Sequence, residues 1–360
     1  MAEECFKSEK ELYRHDISKK VLFLVVVSIL LVIVSIMSCA VGSGVSFSET
    51  FGMIIDHIRG VTYDPASQAY WDDYYICQNI LPGVFMALTA GAGLSLAGAV
   101  MQNIMNNPLA DSYTTGISSG ACFGAGVAIV LGFTFGNTAG GMGIMINAFI
   151  GAMIPSAIII LLTKYVGNSP ATVILIGTAL SFFFNAMLTL LMVSTDAETL
   201  KEAFVWQIGS TTRATWSQIP PMLILVTVGA ILVELVSKKM NVLSLGERTA
   251  KSLGMDVAQF RMLLLILLSI LVASIIAFTG VIGFIGLVAP HIARYILGGD
   301  NKFVVPGSIL IGALILVFAD AASRALYAFG DVPIGVVMSF IGAPIFLYLI
   351  VRRKSTSEVF

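Results

Sequence analysis

Residues 21–41 read VLFLVVVSILLVIVSIMSCAV, an unbroken run without a single charge, in which three serines are the only hydroxyl side chains. A bilayer's hydrocarbon core takes roughly 20 apolar residues of helix to cross, so this stretch is long enough to span it once. Lys19 and Lys20 precede the run, as the charged start of a signal peptide would, and Ile36-Met37-Ser38-Cys39 faintly resembles a lipidation site. A signal core is only about 7–15 residues long, so an uncleaved membrane helix is expected instead.

The same composition continues outward from this segment. Of 360 residues, 57% are hydrophobic and 11% charged, too few charges to clothe a soluble core. The 34 glycines, with runs such as Ala90-Gly91-Ala92-Gly93, suit membrane helices that approach backbone to backbone. Apolar runs between polar breaks predict spans at about 20–42, 80–103, 113–132, 142–163, 171–193, 216–237, 259–279, 281–297, 304–323 and 333–351. The expected fold is all-α, a polytopic membrane protein of about ten transmembrane helices. The chain reads as one transmembrane domain, 1–360.

An even number of spans puts both termini on one side, and the positive-inside rule makes that side cytoplasmic. With that orientation only Arg59, Lys201, Arg213 and Arg324, of 20 Lys and Arg residues, are left outside. Residues 1–19, 238–258 and 352–360 become a cytoplasmic N-terminal segment, loop and tail. On the outer side, 47–58 has the spacing of a short amphipathic helix, and Trp206 suits an interfacial anchor. A net charge of −1 with no basic stripe excludes a nucleic-acid partner.

Gly98, Pro108 and Gly116 recur at the same intervals as Gly280, Pro290 and Gly298, five spans later, which suggests an inverted-topology repeat. Cys5, Cys39, Cys77 and Cys122 lack the close spacing of a metal site, so no metal is expected. His291, inside a span, also lacks a partner at ligand spacing and is read as a packing residue. Asp320 and Arg324 lie one helical turn apart, where they suit a local pair.

No Gly-x-x-x-x-Gly-Lys-[Ser/Thr] loop occurs, and the cytoplasmic segments are too short for a nucleotide-binding domain. Within 238–258, Ser244 or Gly246 suits a helix start and Gly254 its end. Such a helix would present Leu245, Ala250 and Leu253 on one side and Glu247, Arg248 and Lys251 on the other, fit for a groove on a soluble partner. A solvated connector suits the same spacing. The Asn107-Pro108-Leu109 turn fits either simple helix termination or a gate that swings at the inner mouth.

Several blocks then share one likeness: Gln102-Asn103 with Asn107-Pro108-Leu109-Ala110-Asp111 and Gly116-Ile117-Ser118-Ser119-Gly120; Trp206-Gln207-Ile208-Gly209-Ser210; the glycine-rich stretch from Gly283 through Pro290-His291 to Arg294; and Asp331-Val332-Pro333-Ile334-Gly335 with Gly342-Ala343-Pro344. In order and spacing, over about 81–354, they resemble the FecCD-type ABC permeases that import iron-siderophore, heme and cobalamin complexes. The resemblance implies a subunit that pairs with a second permease chain, identical or related, over two ATP-binding subunits and beneath an extracytoplasmic solute-binding protein, in the cytoplasmic membrane of a prokaryote. The cargo is then an iron chelate, siderophore or heme ahead of cobalamin. ATP and Mg belong to the partner ATPase, so this chain carries no cofactor and is not an enzyme.

The same resemblance assigns ATPase coupling to Leu245, Gly246, Glu247, Arg248, Ala250, Leu253 and Gly254. It places the cytoplasmic gate at Asn107 and Leu109, with Asn168 and Ser169 in the next inner turn, where Pro170 departs from the pattern. Binding-protein docking falls to Arg59, Arg213 and Arg324, for which interfacial snorkelling is the plainer account. The rival is an ion-coupled secondary transporter, which needs buried carboxylates; the spans offer very few, Asp320 the clearest. A membrane-embedded enzyme finds no His-Glu-x-x-His and no paired aspartates within the spans.

Overall fold

The computed structural model describes residues 2–137, 141–326 and 332–357, and every regular element among them is helical. Asp331 of the last block and residues 358–360 of the tail lie outside the described residues. The chain runs α1 (Ala2–Ala40), surface helix α2 (Phe47–Ile58), then α3 (Gln68–Tyr75), which passes through a π-helical turn, Ile76–Ile80, into α4 (Leu81–Ile104). A 3-10 turn (Ser112–Thr115) precedes α5 (Ile117–Leu131), followed by α6 (Gly141–Val166) and α7 (Pro170–Val193). Helix α8 (Ala197–Gln207) leads to α9 (Ile219–Ser244), the short α10 (Glu247–Ser252), α11 (Val257–Thr279), α12 (Ile285–Leu297), α13 (Asn301–Ala325) and α14 (Ile334–Ser357).

The ten predicted spans fall on α1, α4, α5, α6, α7, α9, α11, α12, α13 and α14. Among the described residues, seven helices are long and apolar enough to cross a membrane, and α5, α12 and the Ile334–Tyr348 part of α14 are shorter apolar helices. Burial separates their jobs: 89% of the most apolar window of the α3–α4 helix is inside the protein, against 11% for α1. α4 is thus the central post, and the Arg14–Ala40 part of α1 keeps most of its apolar side chains outside the protein interior.

Small residues let α4 take that place. A Cβ added at Gly91 would lie 2.5 Å from the Gly312 carbonyl oxygen of α13, and one at Gly98 would overlap the Gly286 carbonyl of α12. No larger residue fits these crossings without moving a backbone. At its inner end α4 is tied by side chains: Gln102 accepts from Arg294 of α12, and Asn103 Nδ2 donates to the Met240 carbonyl of α9 at 3.1 Å.

Three expectations change. The two Gly-Pro-Gly blocks do not share local geometry: Pro108 sits in the α4–α5 connection and Pro290 inside α12, so the residue-by-residue repeat is not supported. Trp206 is 6% exposed and packed in the core, not at an interface; Trp216, 40% exposed, holds the half-exposed position and donates its indole N–H to the Cys77 carbonyl at 2.8 Å. The second span also begins well before residue 80, because α3 extends it into one helix, Gln68–Ile104.

Candidate functional site

The chain leaves α9 at Ser244 and turns at Gly246, whose φ of +100° suits glycine. α10 begins at Glu247 and closes in a Schellman turn: Met255 N–H donates to the Ala250 carbonyl and Gly254 N–H to the Lys251 carbonyl, with Gly254 left-handed at φ +82°. The helix is therefore bounded by Gly246 and Gly254. Leu245 and Leu253, 62% and 64% exposed, flank it as apolar side chains facing outward, and Arg248 is exposed beside them.

Ala250 departs from the expected pattern. It is fully buried, packed against the body of the protein, so it seats α10 and does not share an outward face with the two leucines. Its methyl is small enough to let a one-and-a-half-turn helix lie close on its neighbours.

Arg261, on the second turn of α11, organises the surroundings. Its side chain is 3% exposed; Nη1 donates to the Asn168 carbonyl at 2.6 Å and Nη2 to Glu247 Oε2 at 3.2 Å. Lys251 Nζ meets the other carboxylate oxygen of Glu247 at 2.8 Å. Asn168 Nδ2 in turn donates to the Ala258 carbonyl at 2.9 Å. One buried guanidinium thus joins α10 to the α6–α7 turn. The Lys251 hydrogen bond first, then Arg261, hold the Glu247 carboxyl below the usual glutamate range.

Ser169 caps α7, accepting from Thr172 N–H at 3.2 Å, and Pro170 occupies the first turn, where its missing N–H costs nothing. The departure at Pro170 is thereby a normal helix start. The other inner turn begins with a second Schellman closure: Asn107 N–H donates to the Gln102 carbonyl and Asn106 N–H to that of Asn103, with Asn106 left-handed at φ +47°. Asn107 Oδ1 then accepts from Leu109 N–H at 3.0 Å, an Asx turn that leaves Leu109 45% exposed.

At the outer end, Arg59 is the exposed C-cap of α2 and Arg213 is exposed in the loop after α8. Arg324 is different: it is 9% exposed, paired with Asp320 at 2.7 Å, and donates to Ser38 Oγ and to the Ser38 and Val41 carbonyls. Asp320 also accepts from Thr211 Oγ1. The expected Asp320–Arg324 pair is present, but Arg324 is an internal tether of α1, α13 and the 208–215 loop, not a rim cation. This network edges an outer cavity of about 780 Å³ that Arg213, Tyr75 and Asn79 also line.

Composition alone could reveal Arg261 only as one more inner charge, and nothing in the spacing marks Asn106 as left-handed.

The FecCD transport family model matches residues 27–352. The chain is 35% identical to the hemin transport system permease protein HmuU of Yersinia pestis, covering 85% of this chain and 91% of that one. It is 36% identical to the cobalamin import system permease protein BtuC of Halobacterium salinarum, over 76% and 72% respectively. A metal-chelate type ABC transporter solved in an inward-facing conformation superposes with a TM-score of 0.79 at 30% identity, covering 92% of this chain and 99% of that one. An all-helical body rich in apolar spans and a family match across nearly the whole length lead to one assignment: the chain belongs to the FecCD transport family and is a multi-pass permease subunit of a metal-chelate type ABC importer in the inner membrane.

Proposed function

We propose that this permease passes an iron chelate, a siderophore or heme, from a solute-binding protein into the cytoplasm, with the energy supplied by ATP hydrolysed on two separate subunits that also hold Mg. The observation that carries this is α10: a short helix seated by Ala250, flanked by two exposed leucines and joined through Arg261 to the α6–α7 turn. A partner that takes Leu245 and Leu253 into a groove would pull on Glu247, and the pull would reach Asn168 through one guanidinium. Leu245, Gly246, Glu247, Arg248, Leu253 and Gly254 form the coupling surface in this reading, with Ala250 supporting it from beneath.

Asn107 and Leu109 serve as the inner gate, with Asn168 and Ser169 as the part of the gate region that Arg261 connects to the coupling helix. Arg59 and Arg213 are exposed outer cations suited to acidic side chains of a binding protein, and a second permease chain completes the pathway. The ion-coupled alternative loses its clearest carboxylate, since Asp320 is engaged by Arg324 and Thr211.

The test is uptake of iron-labelled siderophore, heme and labelled cobalamin into vesicles holding the permease, its ATPase and its binding protein. Uptake that requires ATP and survives an ionophore supports the reading and names the cargo. Uptake driven by an ion gradient without ATP overturns it.

A further inference from the structure

The outer surface carries a group of side chains that transport does not use. His57, in the last turn of α2, Asp73 on α3 and Cys77 in the π-helical turn each present one ligand atom, and the three atoms lie within 4.8 Å of one another. His57 Nδ1 is 3.2 Å from Asp73 Oδ1, and Cys77 Sγ is 3.6 Å from the same oxygen. With metal bonds of about 2.0 Å to N and O and 2.3 Å to S, the edges of a tetrahedral site are roughly 3.3 Å (N to O) and 3.5 Å (S to O). The observed separations are close to those edges. Cys77 and Asp73 are fixed by the helix and largely buried, whereas the His57 side chain is 44% exposed and can adjust. The fourth corner then faces solvent past His57.

We propose that His57, Asp73 and Cys77 form an extracytoplasmic site for a borderline-soft divalent transition-metal ion of the zinc class. A thiolate with an imidazole selects such ions over Mg and Ca, and over ferric iron, which favours oxygen donors. Charge also balances: a dication meets one carboxylate, one thiolate and a neutral imidazole, and the thiol proton leaves to solvent on binding. The ion would pin α2, and Arg59 at its end, to the long α3–α4 helix. The sequence conceals this because His57 is 16 residues from Asp73, across a loop, while only Asp73 and Cys77 are one helical turn apart.

The full-length chain, reduced, held in lipid nanodiscs and purified without a histidine tag, is titrated with Co(II) and then Zn(II). The expected result is one Co(II) per chain with a thiolate-to-cobalt charge-transfer band that Zn(II) abolishes. Cys77→Ser removes the band and His57→Ala weakens binding at least 10-fold, while both retain the wild-type melting temperature in the absence of metal. If Cys77→Ser fails to fold, His57→Ala, at the exposed ligand, decides alone. A wild-type chain with no band, or a band unchanged in His57→Ala, overturns the site.

Discussion

A guanidinium holds its N–H donors in a rigid planar fork, and Arg261 directs two arms of that fork at two different elements. Lysine, with a single compact ammonium, cannot make both bonds at once. Arg261→Lys is therefore expected to leave assembly intact while lowering ATP-driven uptake about 10-fold, a loss of roughly 1.4 kcal/mol of coupling. Uptake at the wild-type rate would remove Arg261 from the coupling path. Arg261→Ala leaves the Asn168 carbonyl without its donor and Glu247 with Lys251 alone, and is expected to cost about 1–3 kcal/mol of stability, read from chemical unfolding of the purified chain. Glu247 adds a pH signature. Its folded carboxyl is held below the ordinary value, so its stabilising contribution is fully present above about pH 4.3 and is lost as pH falls through the lowered folded value. The melting-temperature difference between wild type and Glu247→Gln should be level near neutrality and shrink only below about pH 4. A gap that widens on acidification would show that the pairing in the structure does not govern the segment.

Helices meet here through their smallest residues, and two glycines separate packing from propensity. Gly98→Ala drives a methyl into the Gly286 carbonyl and is expected to destabilise by about 1–3 kcal/mol. Gly52→Ala, in α2 with open space around it, should be neutral or stabilising by up to about 1 kcal/mol. Equal effects on melting would mean that helix propensity, not the α4–α12 crossing, sets stability. The spans were readable from residue order because lipid demands long uncharged runs, and α10 because glycines bracket it. α3 is not legible in the sequence, since Tyr70, Trp71, Asp72, Asp73 and Tyr74 make no apolar run, although the helix continues unbroken into α4. The buried side of Ala250 cannot be read from sequence, because a six-residue helix offers too little periodicity to orient a methyl group.

Across the whole molecule, outer and inner ends are built differently. The outer end is locked by the buried Asp320–Arg324 pair, which ties α1 and the 208–215 loop to α13. Removing one partner, as in Asp320→Ala, should cost about 3–5 kcal/mol and loosen α1, detectable as faster proteolysis near residue 41. Proteolysis unchanged from wild type would show that α1 is held by packing alone. Arg59→Glu, by contrast, should leave stability unchanged and weaken binding-protein docking, with the effect fading as salt rises. Docking that is equally strong in Arg59→Glu at low salt would take that residue out of the contact. The long helix from Gln68 to Ile104 joins the two ends, and its π-helical turn has a rotational meaning. An α-helix advances about 100° per residue, so the wider turn at Ile76–Ile80 acts as a phase offset between the α3 and α4 faces. Closing the α-helical ladder through these same five residues would swing the outer segment about a quarter-turn and carry Asp73 away from His57, whereas deleting one of them, Asn79, as the ladder closes would leave the α3 and α4 faces nearly in phase.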